Sequence, residues 1–170
     1  VGLDPDKFPT TWEEFQEAAI KLTKVDASGK IIRDGFDHRK DFEHLVSHIH
    51  QNGVAEFADD TATAASALAT PQALEAFTWW IDLVRAHKVQ SIDGRARPEG
   101  SEPTLDGYAG VGLQGPWWVP EAKAVSTAHF DSGNIRVGLP LTRSGTAGHL
   151  DASGWGVNAH SDLLEETLEF

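Results

Sequence analysis

Along the chain, stretches whose apolar residues recur every three or four positions give way to shorter ones bounded by Gly, Asp and Asn. That pattern predicts helices interleaved with brief strands. Thr11 with Glu14 is a capping-box signature, and Phe15, Ala19 and Leu22 continue at helical spacing, so a first helix is predicted over 11–24. Asp26-Ala27-Ser28-Gly29 reads as a turn, and Ile31 to Phe36 as a short strand with Gly35 near its end. Asp41 is a candidate cap for a second helix with the stripe Phe42, Leu45, Val46 and Ile49, closing near Asn52-Gly53. The third helix has the clearest pattern. Thr70 stands at its cap and Pro71 at its first helical position, and Ala73, Leu74, Phe77, Trp80, Ile81 and Val84 form an expected apolar face. His87-Lys88 occupies the end that favours positive charge.

Residues 90–107 turn polar and rich in Gly, Pro and Glu, which predicts a long exposed connection rather than a domain boundary. In Gly115-Pro116-Trp117-Trp118-Val119-Pro120, each proline fixes φ and removes a backbone donor, so the segment is rigid and no central strand. Ile135–Leu139 reads as a strand, 142–149 as a polar loop, Trp155–Asn158 as another strand, and a last helix starts at Ser161 or Asp162. Helices alternating with short strands favour α/β or α+β over all-α. No internal repeat is visible.

Length and composition narrow the function classes. At 170 residues the chain can form one domain and bury about two-thirds of its unfolded surface. Its 40% apolar and 24% charged residues are ordinary globular composition. With 14 Lys+Arg scattered among 26 Asp+Glu the net charge is −12, which argues against nucleic acid and against an anionic membrane surface. The acidity reads as a solubilising surface. No apolar run approaches the roughly 20 residues that span a bilayer. Without cysteine there is neither a disulfide framework nor a thiolate zinc site. The chain starts at Val1, has no Met and stops at Phe170 inside an expected helix, and so reads as a fragment.

Trp117 and Trp118 are the leading candidates for chemistry. An indole is a large flat apolar surface with one polar handle and suits stacking on the C–H face of a sugar ring; the other reading is that the two rings fill a gap between layers. Trp79 and Trp80 point about 100° apart on a helix, which assigns Trp80 to the core and Trp79 to its margin. Trp12 reads as a staple at its helix start. His44, His48 and His50 raise a metal hypothesis, but His-Glu-x-x-His is broken by Leu45-Val46-Ser47, and a solvated or groove-lining face is expected. A glycosidase needs two facing carboxylates, and Asp151 with Asp59 or Asp60 would have to serve, with nothing in the sequence to fix their separation. Neither a Gly-x-Ser-x-Gly elbow nor a phosphate-cradling Gly-x-x-x-x-Gly-Lys is present.

Phe8-Pro9-Thr10-Thr11-Trp12-Glu13-Glu14-Phe15, with Ala18-Ala19, Lys21-Leu22-Thr23 and the Asp26 to Phe36 stretch, resembles the P-x-T-W-x-E-F segment of family 1 extracellular solute-binding proteins. These are the maltose-binding-protein-like sugar-binding subunits of ABC importers. Gln51-Asn52-Gly53, Pro71 to Val84, Gly115-Pro116-Trp117, Gly138-Leu139-Pro140 and Ser153-Gly154-Trp155-Gly156 agree in order, so the resemblance covers nearly the whole chain. One departure is the short run Tyr108 to Leu113, where family members carry a Met and a slightly longer stretch.

The resemblance implies an α/β fold of the type II periplasmic-binding-protein kind, with two lobes joined by a hinge. Residues 1–140 would form most of the carboxy-terminal-type lobe and 141–170 the crossover and start of the return, with residues after about 141 apart from the main body or packed on it in a non-native way. It implies that Trp117 stacks on a sugar, that Trp155 and Asp151 reach the cleft from the other side, and that Trp118, Glu43 and His44 are further candidates, the last two by position only. The function implied is non-enzymatic capture of a sugar or oligosaccharide by a monomer and delivery to ABC permease subunits. The location implied is extracytoplasmic, periplasmic or as a cell-surface lipoprotein, with no catalytic residue, metal or cofactor. The rival class is a carbohydrate-active, glycosidase-like enzyme or a stand-alone sugar-binding domain.

Overall fold

The computed structural model describes residues 2–38, 42–58, 66–92, 102–125, 135–148, 157–158, 160–163 and 165–166. Helix α1 spans Trp12–Leu22 and opens with the expected capping box. The Glu14 N–H donates to the Thr11 hydroxyl at 3.2 Å, and the Glu14 carboxylate accepts from the Thr10 N–H at 2.8 Å. That backbone bond is the leading reason the Glu14 carboxyl titrates below its ordinary value. Strands β1 (Lys24–Val25) and β2 (Ile31–Asp37) flank the turn in which Asp26 accepts from the Ser28 and Lys30 N–H groups. Helix α2 is Phe42–Gln51, α3 is Pro71–Arg85, β3 is Ala109–Gly112 and α4 is Trp118–Val125. Thr70 caps α3 as expected, accepting from the Ala73 N–H at 3.1 Å.

The strands form one sheet in the order β1-β2-β3, antiparallel between β1 and β2 and parallel between β2 and β3. Helix α1 packs on β2 and β3, and α2 on α3. Glycines let α1 lie close to the sheet. A Cβ at Gly35 would run into the Ala19 carbonyl oxygen, and one at Gly110 would come within 2.9 Å of both the Gly35 oxygen and Leu22 Cβ. This explains a four-residue strand of sequence Ala-Gly-Val-Gly, to which side-chain propensity gives no clue. The loop after α3 covers the side of β2 beyond its pairing with β1, with the Gly35 N–H donating to the Val89 oxygen at 2.8 Å.

Aromatic rings fill the main core. Trp12 stacks on Trp79 at 4.4 Å and 15°, Phe15 meets Phe36 edge to face at 5.0 Å, and His38 and His48 lie 4.1 and 4.5 Å from Trp80. Each fully buried large apolar side chain contributes roughly 1.5–3 kcal/mol. Trp12 is thus core rather than a peripheral staple, and Trp79 is partly buried beside Trp80 as the margin reading required.

Several elements depart from the sequence pattern. The buried stripe of α3 is Ala73, Ala76, Trp80, Leu83 and Val84, whereas Leu74 and Phe77 are 64% and 46% exposed. Both stripes have helical spacing; the observed one places Ala73 and Ala76 in the main core. Ile135–Leu139 is not a strand: Val137 and Leu139 are each 83% exposed, and among the described residues no strand pairs with it. Helix α4 was not expected, yet Pro120 sits in its first turn, where a missing N–H costs no helical bond. The 90–107 connection is buried at its ends, at Gln90 and Leu105. Residues 157–158 lie in no strand, 165–166 are helical, and Asp41, Trp155 and Gly156 fall outside the described residues. Residues 141–148 dock on the main body. Leu141 joins the core, and the Thr142 N–H donates to the Thr10 oxygen at 2.8 Å.

Candidate functional site

Parallel pairing sets Asp37 opposite Gly112, so β2 and β3 end together. In open α/β sheets this carboxyl edge is where ligands settle. From β3 the chain passes through Leu113 and Gln114 into a turn in which the Trp118 N–H donates to the Gly115 oxygen at 3.0 Å, and α4 begins. The approach is braced: the Gln114 amide donates to Glu102 at 3.4 Å, and the Glu102 carboxylate accepts from the Leu105 N–H at 2.7 Å.

The two tryptophans of this turn part company. Trp118 is turned inward at 9% exposure, packed in a second cluster with Leu105, Ala122 and Ile135. Trp117 is 63% exposed. A Cβ on Gly115 would fall on the six-membered ring of Trp117, so the indole lies folded back across the Gly115 backbone. One indole anchors the turn, the other is displayed on it.

Glu43 and His44 stand in the first turn of α2, exposed and half-buried respectively, in the layer that α2 forms with α3. They follow β2 in the chain as Trp117 follows β3. Asp151, Trp155, Asp59 and Asp60 lie outside the described residues. At the same sheet edge the strand brings Asp37 and His38, both buried, which sequence reading overlooked. Asp37 accepts from Gln90 at 3.5 Å, and His38 Nε2–H donates to the Trp80 oxygen at 2.9 Å. A polar pair directly after Phe36 was the available signal.

Among the described residues no group of three or more His, Cys, Asp or Glu is placed to hold an ion. Instead of a solvated or groove-lining face, His48 is buried, and its Nδ1–H donates to the His44 oxygen at 2.7 Å. Burial among the indoles pushes its pKa down to about 4. No helix among the described residues is long and apolar enough to cross a membrane.

A sequence profile of bacterial extracellular solute-binding proteins matches residues 3–170. The chain belongs to that family. No curated protein sequence matches this family member. Among solved structures it is similar to an ABC transporter solute-binding protein from Thermotoga lettingae TMO bound with α-D-tagatose, at 22% identity and a TM-score of 0.57 over 75% of this chain and 33% of the other. It is also similar to a cyclo/maltodextrin-binding protein complexed with maltotetraose, at 17% identity and a TM-score of 0.53 over 83% of this chain and 35% of the other. The chain therefore spans about a third of the length of these two proteins. At such identities the likeness speaks for the fold, an α/β body of the periplasmic-binding type.

Proposed function

We propose that this chain is part of the sugar-capturing component of an ABC importer, an extracytoplasmic protein that closes about a hinge on a mono- or oligosaccharide and hands it to a membrane permease without altering it. The reading rests on one observation above all. Trp117 is a large rigid ring that the fold leaves exposed, on a braced turn at the carboxyl edge of the parallel strands, while its neighbour Trp118 takes up the packing role. Sugar hydroxyls lie around the ring plane and apolar C–H faces lie above and below it, so an indole face with a few carboxylates and amides nearby meets both needs. Gln114, Glu102 and the candidates Glu43, His44, Asp151 and Trp155 are the polar and aromatic groups expected to join it across the cleft. Family membership and the sugars bound to the two similar structures point the same way. Residues 1–140 are assigned to one lobe and 141–170 to the crossover, and the working form is a monomer.

The test uses the full-length protein. A thermal-shift screen against mono- and oligosaccharides identifies the ligand, since a sugar bound only by the native state raises the apparent stability. Trp117→Ala is then expected to weaken calorimetric affinity for that sugar about thirtyfold, near 2 kcal/mol, as loss of an aromatic anchor does. Unchanged affinity would remove Trp117 from the site. The sugar should be recovered intact after incubation; turnover abolished by Asp151→Asn would move the protein to the enzyme class.

A further inference from the structure

Residues 141–148 cross α1, α2 and α3 as a short strap, and the manner of their attachment differs from that of everything beneath. Leu141 alone inserts into the main core. Beyond it the strap is held by polar bonds: the Thr142 N–H donates to the Thr10 oxygen, and the Ser144 and Gly145 N–H groups donate to the Gln51 oxygen at 2.9 and 3.0 Å. The Gln51 amide group donates to the Ala147 oxygen at 2.9 Å, while its own oxygen accepts the buried Trp12 Nε1–H at 2.8 Å. Asn52 accepts from the Ser144 hydroxyl at 3.3 Å and donates to Glu75 and to the Gln72 oxygen, both at 2.9 Å. Arg143 lies across the whole arrangement. It pairs with Glu13 of α1, pairs with Glu75 of α3 at 2.6 Å, and places its guanidinium 5.6 Å from the centre of the Trp12 ring.

We infer that the strap is a latched unit that opens separately from the core, with Arg143 as its latch. The contacts divide in the way this requires. The core is held by apolar rings that no screening reaches, whereas Arg143 and its two glutamates stay largely exposed, where an ion pair contributes only about 0–1 kcal/mol and weakens with salt. Opening from Thr142 onward, with Leu141 kept in the core, exposes one face of Trp12 and leaves Gln51 and Asn52 to water, yet disturbs neither the sheet nor the α2–α3 contact. Free energies of local opening span the range from near zero to the global value, and segments rich in exposed polar bonds and poor in apolar contacts lie at the low end.

Residue-resolved amide exchange on the full-length protein tests this directly. The reporters are the amides of Thr142, Ser144 and Gly145; the references are Asp34 and Gly35, whose N–H groups donate to Tyr108 and Val89. The strap amides should exchange at least about tenfold faster than the references, and Arg143→Ala should accelerate them about tenfold more while moving the references less than about twofold. Raising sodium chloride to about 0.5 M in the unmodified protein should act in the same direction, which keeps the test independent of how the variant folds. The inference is overturned if strap and reference amides exchange together, if Arg143→Ala shifts both equally, or if salt leaves the strap unaffected.

Discussion

The chain contains two pairs of adjacent tryptophans, and the fold treats them differently. Trp79 and Trp80 lie in mid-helix, and both rings have neighbours: Trp79 stacks on Trp12, and Trp80 meets Phe36, His38 and His48. Trp117 and Trp118 lie at a helix start, and only Trp118 is covered. Consecutive helical residues point about 100° apart, so an adjacent pair is buried whole only where elements stand on two sides. Helices α1 and α2 with strand β2 provide those sides for the first pair. The second has one small cluster, and one of its rings stays exposed. Display of an aromatic residue thus follows from the number of neighbours, not from the residue.

The contrast is broken most strongly from the core side. Trp80→Ala removes a ring with four aromatic neighbours, Phe36, His38, His48 and Trp79, and should cost about 3–5 kcal/mol in denaturant titration. A loss below about 1 kcal/mol would show that the layer around Trp80 is loosely packed. Next comes acidity. The folded state holds His48 neutral down to a pKa of about 4 against an ordinary 6.5. Between those values the unfolded chain binds a proton that the folded one refuses. Stability therefore rises with pH across this window and falls on acidification, by about 3 kcal/mol from this group alone. His48→Gln should flatten that stretch of the stability profile; an unchanged slope would assign the acid sensitivity to other groups.

Trp117→Ala sharpens the comparison. Its cost to stability should stay below about 1 kcal/mol, because an exposed ring forfeits little packing, even while affinity falls by near 2 kcal/mol. Stability lost to the same extent as with Trp80→Ala would make both pairs structural. The smallest effect is expected from Gly115→Ala. The added methyl must displace the Trp117 ring, so affinity should weaken by about 1 kcal/mol, roughly fivefold, with the stability of the body little changed. Full affinity in this variant would mean that the observed ring pose is not the one used in binding.

What the sequence determined by itself is what short-range chemistry enforces. The capping box at Thr11, the Thr70-Pro71 start of α3, the Asp26 turn and strand β2 depend on bonds and dihedral limits within a few residues, and they stand where the pattern put them. The motif order also sufficed for the family. Tertiary structure decided the rest. Strand β3 exists because Gly35 and Gly110 let α1 press on the sheet, a contact between positions 75 residues apart. Of two stripes of equal helical spacing on α3, the fold buries the one with Ala73, Ala76, Trp80, Leu83 and Val84. Gln51-Asn52, legible only as a motif, clamp a strap some 90 residues downstream. Ile135–Leu139 has the composition of a strand but no partner among the described residues. Propensity and capping are properties of a segment, whereas burial and pairing belong to two surfaces at once, and the second surface is set by the rest of the fold.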